Sequence, residues 1–286
     1  MKFKINRDHF SSGIQLVMSV VGTRKTMPIL QNVLIEAKNN LVWLTTTNLD
    51  LGAKCSIRAD VAKEGTITLP VKELGRIIRE LADMEVSVET ADTPKATIST
   101  RGSIFNVIGM ESKEFPPLPE LEEKKEFVFD RNELVTMLKS VSYAQSVNEE
   151  RYMLKGVFFQ LAEEKLALVA TDGRRLAVTK NKIDTKDEGE FILPSLSVNE
   201  IEKLPDVGKQ VKVSFTDRQV SFELSVEETE EKFGFQNSIY LVSKVVEGKY
   251  PNYKQVIPKD DFNAATVERE LMQECVNPVS YTHLRA

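Results

Sequence analysis

The chain carries nearly the same text twice. Phe3 recurs as Phe127, Arg7 as Arg131, Val17 as Val141, Thr47 as Thr171, Leu69 as Leu193 and Pro70 as Pro194, always 124 residues on. After an insertion in the second copy the offset becomes 135, carrying Phe105 to Tyr240, Phe115 to Tyr250 and Pro116 to Pro251. An offset held from Phe3 to Pro70 means tandem modules and suggests a scaffold rather than a single active site. The repeat is too long for a solenoid, so each copy is expected to be a domain with its own core. Residues 1–120 and 127–258 form the two copies, and the proline-rich, charged stretch 116–126 reads as the linker.

Each copy opens with a short strand and a helix. Phe10, Ile14 and Val17 are spaced 4 and 3 apart, the stripe of an amphipathic helix, and Leu134, Leu138 and Val141 keep it in the copy. Two strand signals follow, 33–37 and 41–47, around the turn-like Lys38-Asn39-Asn40; their copies, 157–162 and 165–171, flank Glu163-Glu164. A further strand, 65–70, runs into a helix over 71–81, copied as 189–194 and 195–204. Strand-like runs at 86–90, 96–100 and 104–109 complete the first module. The fold class is therefore α+β, each module packing two helices on antiparallel sheet.

Composition excludes several classes. At 286 residues, with 41% hydrophobic and 28% charged content, the chain suits two globular domains and argues against disorder. No apolar run approaches the roughly 18 residues of a membrane helix, and the charged N-terminus is unlike a signal peptide. Cys55 and Cys275 are isolated, as expected in a reduced cytoplasm. A net charge of −5 excludes a simple basic coat for nucleic acid but permits a local positive surface. His9 and His283 are the only histidines, against a histidine triad or histidine-bound zinc, and no phosphate-cradling glycine motif is present. No metal or other cofactor is expected. ATDGRR (170–175) admits an Asp172–Arg175 catalytic pair for phosphoryl transfer or hydrolysis. The competing reading is a turn in which Asp172 bonds the local backbone and Gly173 takes a positive φ.

RKTMPILQNVLIEA (24–37), TTTNLDL (45–51), ESKEFPPLP (111–119), RYMLKGVFF (151–159), ATDGRRLAV (170–178) and EGKYPNYKQVIP (247–258) resemble the β subunit of bacterial DNA polymerase III, the sliding clamp. The resemblance covers roughly residues 1–270. It implies a non-catalytic processivity factor whose subunits, three similar domains each, pair head to tail as a ring around duplex DNA. Helices then line the hole, and contacts to DNA are to phosphates, independent of sequence and sensitive to salt. Lys72, Arg76 and Arg79, on one face of the helix over 71–81, match a hole-lining helix. Arg24 matches a loop that approaches DNA, and Asn148 lies at the corresponding loop of the second copy. Leu154, Thr171, Gly173, Arg174, Arg175, Leu176, Pro251 and Val256 match a groove that receives short linear peptides of the polymerase, the clamp loader and repair proteins. Phe105 and Val107 match the edge strand at which the first domain of one subunit meets the third domain of its partner in the homodimer.

FNAATVERELMQEC (262–275) resembles the opening of a third copy, beginning near residue 261. Pro278 is expected to end its helix, and residues 276–286 read as a non-native tail. Phe105 and Val107 are then expected on an uncovered edge, so this chain is expected to remain an open monomer. A peptide-binding adaptor without DNA function is a further reading.

Overall fold

The computed structural model describes residues 1–22, 27–91, 93–185, 187–226, 233–258 and 265–282, with the backbone alone for 149–150 and 277–282. The first repeat runs β1 (Lys2–Asn6), α1 (Arg7–Met18), β2 (Asn32–Lys38), β3 (Leu41–Thr47), β4 (Leu51–Arg58), β5 (Asp60–Lys63), β6 (Gly65–Pro70), α2 (Val71–Glu80), β7 (Glu85–Thr90), β8 (Lys95–Ser99) and β9 (Ile104–Ile108). The second runs β10 (Lys125–Asp130), α3 (Arg131–Val141), β11 (Gly156–Ala162), β12 (Lys165–Thr171), β13 (Leu176–Lys182), β14 (Gly189–Pro194), α4 (Ser195–Glu202), β15 (Gln210–Phe215), β16 (Gln219–Ser225) and β17 (Phe235–Lys244). Every strand pair in both repeats is antiparallel.

The repeat survives in three dimensions. The order β1-β7-β8-β9 recurs as β10-β15-β16-β17, and β4-β3-β2-β6 recurs as β13-β12-β11-β14. Asn6 caps α1 by accepting from the backbone N–H of Asp8 and His9, as Asp130 caps α3 by accepting from Glu133. Arg7 and Arg131, matched in sequence, each tie the start of one helix to the chain just beyond the other. Arg7 Nη1 donates to Leu81 O at 2.7 Å, and Arg131 Nη2 to Leu204 O at 2.6 Å. The turns at Asn39-Asn40 and Glu163-Glu164 hold φ of 53° and 56° in both copies, the left-handed pair that a two-residue hairpin turn requires.

The helix stripes face the core: Phe10, Ile14 and Val17 on α1 and Leu134, Leu138 and Val141 on α3 are buried. Gly75 lets α2 approach α1, because a Cβ there would lie 3.2 Å from Ile14 Cγ2.

The buried residues of the two repeats are in continuous contact across their join, and Met1–Tyr250 is a single contact unit. The cause is β17, which pairs with β4 and thereby makes an eight-stranded sheet spanning both repeats. Ser56 Oγ donates to Gln236 O at 2.6 Å across this join, and Lys244 meets Asp50 at 3.0 Å. The second unit, Pro251–Ala286, contains α5 (Arg269–Thr282). Pro278 does not end that helix, which runs unbroken from Arg269 to Thr282; a proline removes one backbone N–H and here does not stop the helical backbone. The start of the expected third copy, around Phe262, lies outside the described residues.

Candidate DNA-facing helix and peptide groove

On α2, Leu74, Gly75 and Ile78 are buried while Lys72, Arg76 and Arg79 are exposed. The cations share the face opposite the apolar stripe, alongside Glu73 and Glu80 at the two ends. Arg24 lies outside the described residues. Asn148 is exposed, and its backbone N–H donates to Ser146 Oγ at 3.1 Å.

The second repeat does not copy this face. Leu196, Glu200 and Lys203 stand at the positions matching Lys72, Arg76 and Arg79. Glu200 is buried; its carboxylate meets the Ser19 hydroxyl at the end of α1 and Lys203 Nζ at 3.3 Å. The sequence reading missed Glu200. A glutamate where the repeat has a cation was the available signal.

The turn joining β12 to β13 is built from its own side chains. Asp172 Oδ1 accepts from the backbone N–H of Arg174 at 2.9 Å and of Arg175 at 3.0 Å, and Oδ2 accepts from Arg175 Nε at 3.1 Å. Those backbone N–H groups, of Arg174 first, hold the Asp172 carboxyl below the usual carboxylate range. Thr171 Oγ1 donates to Arg175 O and accepts from Gly173 N–H, and Gly173 has φ of +87°. The turn reading of ATDGRR therefore matches the structure.

The first repeat makes the same turn. Asn48 Oδ1 accepts from Asp50 and Leu51 N–H, Thr47 Oγ1 donates to Leu51 O, and Leu49 has φ of +75°. An asparagine amide performs there what Asp172 performs here, so the carboxylate is explained without catalysis.

Around this turn, Leu154 is buried, Thr171 and Leu176 are half-buried, and Gly173, Arg174 and Arg175 are exposed. Arg151 Nη1 donates to Asp172 O, occupying the space a Cβ on Gly173 would need. The Arg175 guanidinium lies 5.6 Å from the Tyr143 ring centre. Tyr250 stacks on Phe158 at 4.7 Å, and burial pushes its hydroxyl up to about 12. Tyr143 and Tyr152 are exposed aromatic neighbours in sequence of this region that the sequence reading did not name. Pro251 and Val256 belong to the second contact unit, in which Val256 is exposed.

At the far side of the first repeat, β9 is an edge strand with β8 as its sheet neighbour. Phe105 is exposed there, but Val107 is 1% exposed, against the expectation that both lie uncovered. Phe105 and Val107, two apart, share one face of the strand, on which Val107 is covered and Phe105 is 37% exposed; Ile104 and Ile108, on the opposite face, are the other exposed apolar groups.

Comparison with known proteins agrees with this architecture. Residues 1–119 match the DNA polymerase III beta subunit, N-terminal domain, and residues 129–252 match its central domain. The beta sliding clamp of Synechocystis sp. is 32% identical over 98% of this chain and 75% of its own length. That of Chlamydia muridarum is 29% identical over 94% of this chain and 71% of its own. The solved structure of the C. crescentus beta sliding clamp superposes with a TM-score of 0.87 at 29% identity, covering 98% of this chain and 74% of that one. Two matched domains in tandem, on a fold shared with a solved clamp, establish that the chain belongs to the DNA polymerase III beta subunit family, the bacterial beta sliding clamps.

Proposed function

We propose that this chain works as a sliding clamp on duplex DNA, with residues 1–120 and 127–258 as two clamp modules and α2 of the first as its main DNA-facing element. The observation that carries this is the exposed row Lys72, Arg76 and Arg79 above a fully buried apolar stripe, which presents cations without involving them in folding. Arg24 and Asn148 are assigned to the same DNA-facing role through the family resemblance. Grip is concentrated on the first repeat, because the second replaces the cation matching Arg76 with buried Glu200. Such a surface neutralises phosphates and reads no bases.

The second proposed surface takes short linear peptides of polymerase, clamp-loader and repair proteins. Leu154 and Leu176 would seat apolar anchors, Arg174 and Arg175 would meet carboxylates or carbonyls, and Thr171 and Gly173 shape the floor. Pro251 and Val256 join this set on the resemblance. Phe105, with Val107 behind it, is assigned to subunit contact. No helix among the described residues is long and apolar enough to cross a membrane; we place the protein's work in the cytoplasm, where replication occurs.

Binding to linear duplexes of unrelated sequence, measured by fluorescence anisotropy against salt, tests the DNA reading. Three phosphate contacts give a slope of about −2.7 in log K against log salt, roughly a 40-fold loss from 50 to 200 mM. Lys72→Glu/Arg76→Glu/Arg79→Glu should abolish binding with the circular dichroism spectrum unchanged. Binding that survives the triple reversal, or that depends on base sequence, refutes the assignment; no DNA binding by the unaltered chain would favour the peptide-adaptor reading.

A further inference from the structure

We infer that the first repeat carries a peptide site of its own, beside Gly52 where β4 joins β17, and that residues 115–121 of the same chain occupy it as a resident ligand. The ligand class is a proline-containing peptide with apolar anchors three residues apart. The second repeat only locates the site; the contacts that define it all lie within the first repeat, its linker and β17.

The offset of 124 residues carries Leu154, Thr171 and Leu176 back to Leu30, Thr47 and Gly52. Thr171 and Leu176 are half-buried, whereas Thr47 and Gly52 are buried. The closing segments of the two repeats dock alike. Tyr250 stacks on Phe158. Its equivalent Phe115 clusters with Ile29 and Leu30, and Leu34, the equivalent of Phe158, packs against that cluster. Beyond Phe115 the first repeat adds a contact at the join. A Cβ placed on Gly52 would overlap Leu118 Cδ2 and lie 3.3 Å from Val242 Cγ1. Leu118 therefore fills the space left by the side chain that Gly52 lacks and Leu176 has.

The segment is built as a ligand. Phe115 is buried and Leu118 and Leu121 are half-buried, while Pro117, Pro119 and Glu120 are exposed. Coverage at every third residue is how a polyproline II peptide, with three residues per turn, meets a groove. Phe115 has φ of −74° and ψ of 125°, near that conformation. Phe115, Pro116 and Leu118 each precede a proline, which holds them extended. The chain is fastened just upstream, where Met110 N–H donates to Thr68 O at 3.0 Å and Thr68 N–H to Met110 O at 3.2 Å. A segment tethered so closely meets its site at an effective concentration on the order of millimolar. A free peptide can bind only while the site stands open, so a resident docked about nine-tenths of the time weakens it about tenfold. Apolar partner peptides are thereby kept off the first repeat and left to the second.

Fluorescence anisotropy with a labelled peptide of residues 114–121, EFPPLPEL, tests this on the 286-residue chain. Pro116→Gly, Pro117→Ser, Leu118→Gly and Pro119→Ser together release the resident. That chain should take up one more peptide than the unaltered chain, with an apparent affinity for the added site raised about tenfold. Leu118→Ala alone removes the central anchor and should expose the same site, which decides the matter if the fourfold variant does not fold. Adding Gly52→Leu to either variant fills the pocket and should remove the added site. Adding Leu176→Asp should leave it, whereas peptide that the unaltered chain binds and Leu176→Asp abolishes belongs to the groove of the second repeat. The two readings therefore fail separately. No added site in either variant overturns the inference, as does an added site that survives Gly52→Leu or is lost with Leu176→Asp.

Discussion

Phe159→Ala should loosen the first repeat although Phe159 lies in the second. Phe159 is fully buried, stacked on Phe191 at 4.7 Å and edge-on to Phe222 at 6.5 Å. Truncating such a side chain costs about 3–5 kcal/mol in lost transfer energy and cavity. If the repeats were independent, that loss would stay in the second. The continuous sheet through β17 and β4, with a single buried cluster, makes the two open together. Cys55 supplies the reporter. It sits in β4 of the first repeat, fully buried, and burial pushes its thiol well above the usual range, so it reacts only when the strand opens. In a Cys275→Ser background, which removes the exposed thiol, labelling of Cys55 under native conditions follows the opening equilibrium. A 3–5 kcal/mol loss then accelerates labelling by about a hundredfold to several thousandfold. Phe10→Ala, in the core of the first repeat, gives the reference acceleration. Unchanged Cys55 labelling in Phe159→Ala, beside a clear fall in the stability of the second repeat, refutes the coupling and restores two autonomous domains.

Replacing Glu163-Glu164 by Asn-Gly should raise the unfolding free energy by about 1 kcal/mol, since both glutamates are held at positive φ; urea denaturation reads the gain. Glu126 should contribute acid sensitivity. Its carboxyl is lowered to about 2, first by Lys124 at 2.8 Å and then by Lys212 at 3.0 Å and the Ser214 hydroxyl. The depressed value means its contribution is present above the unfolded pKa near 4.5 and is lost as pH falls toward 2. With 34% of the side chain exposed, screening reduces the nominal shift to about 1 kcal/mol. Glu126→Gln should flatten stability between those pH values and lower it by about 1 kcal/mol near neutrality. Asp172→Asn should keep its fold and thermal midpoint close to wild type, because Asn48 already supports the equivalent turn. Metal-dependent hydrolysis that vanishes in this variant would instead revive the catalytic reading.

Much of the fold was legible because local signals and tertiary demand agree. The helix stripes, the hairpins at Asn39-Asn40 and Glu163-Glu164, and the Asp172 turn each depend on residues close in sequence. The strands that were missed fail for a physical reason. LGAKCSIR in β4 is buried on both faces, so it lacks the alternation that marks a strand with one solvated side. β17 pairs with β16 in its own repeat and with β4 in the other, and the second pairing, which joins the repeats, leaves no local sequence signal. Val107 shares its strand face with Phe105, and how deeply each is covered depends on the packing behind β9, which local sequence does not report.

The divergence between the two second helices ties these levels together. α2 and α4 follow matched strands and start at matched residues, yet the position of Arg76 on one becomes buried Glu200 on the other. An arginine at that site on α4 would meet a closed environment at the join of the repeats, where Ser19 and Lys203 now satisfy a carboxylate. Burying a charge without such partners is costly, so the residue is set by the join and not by any ligand. Among the described residues, no element of the second repeat covers the matching face of α2, and there the position is exposed and cationic. One module thus yields two different helix faces, according to whether the next module covers it. Among the described residues, Lys72, Arg76 and Arg79 enter no hydrogen bond or ion pair, so their exposed charge on α2 is the premise of the proposed phosphate-facing role.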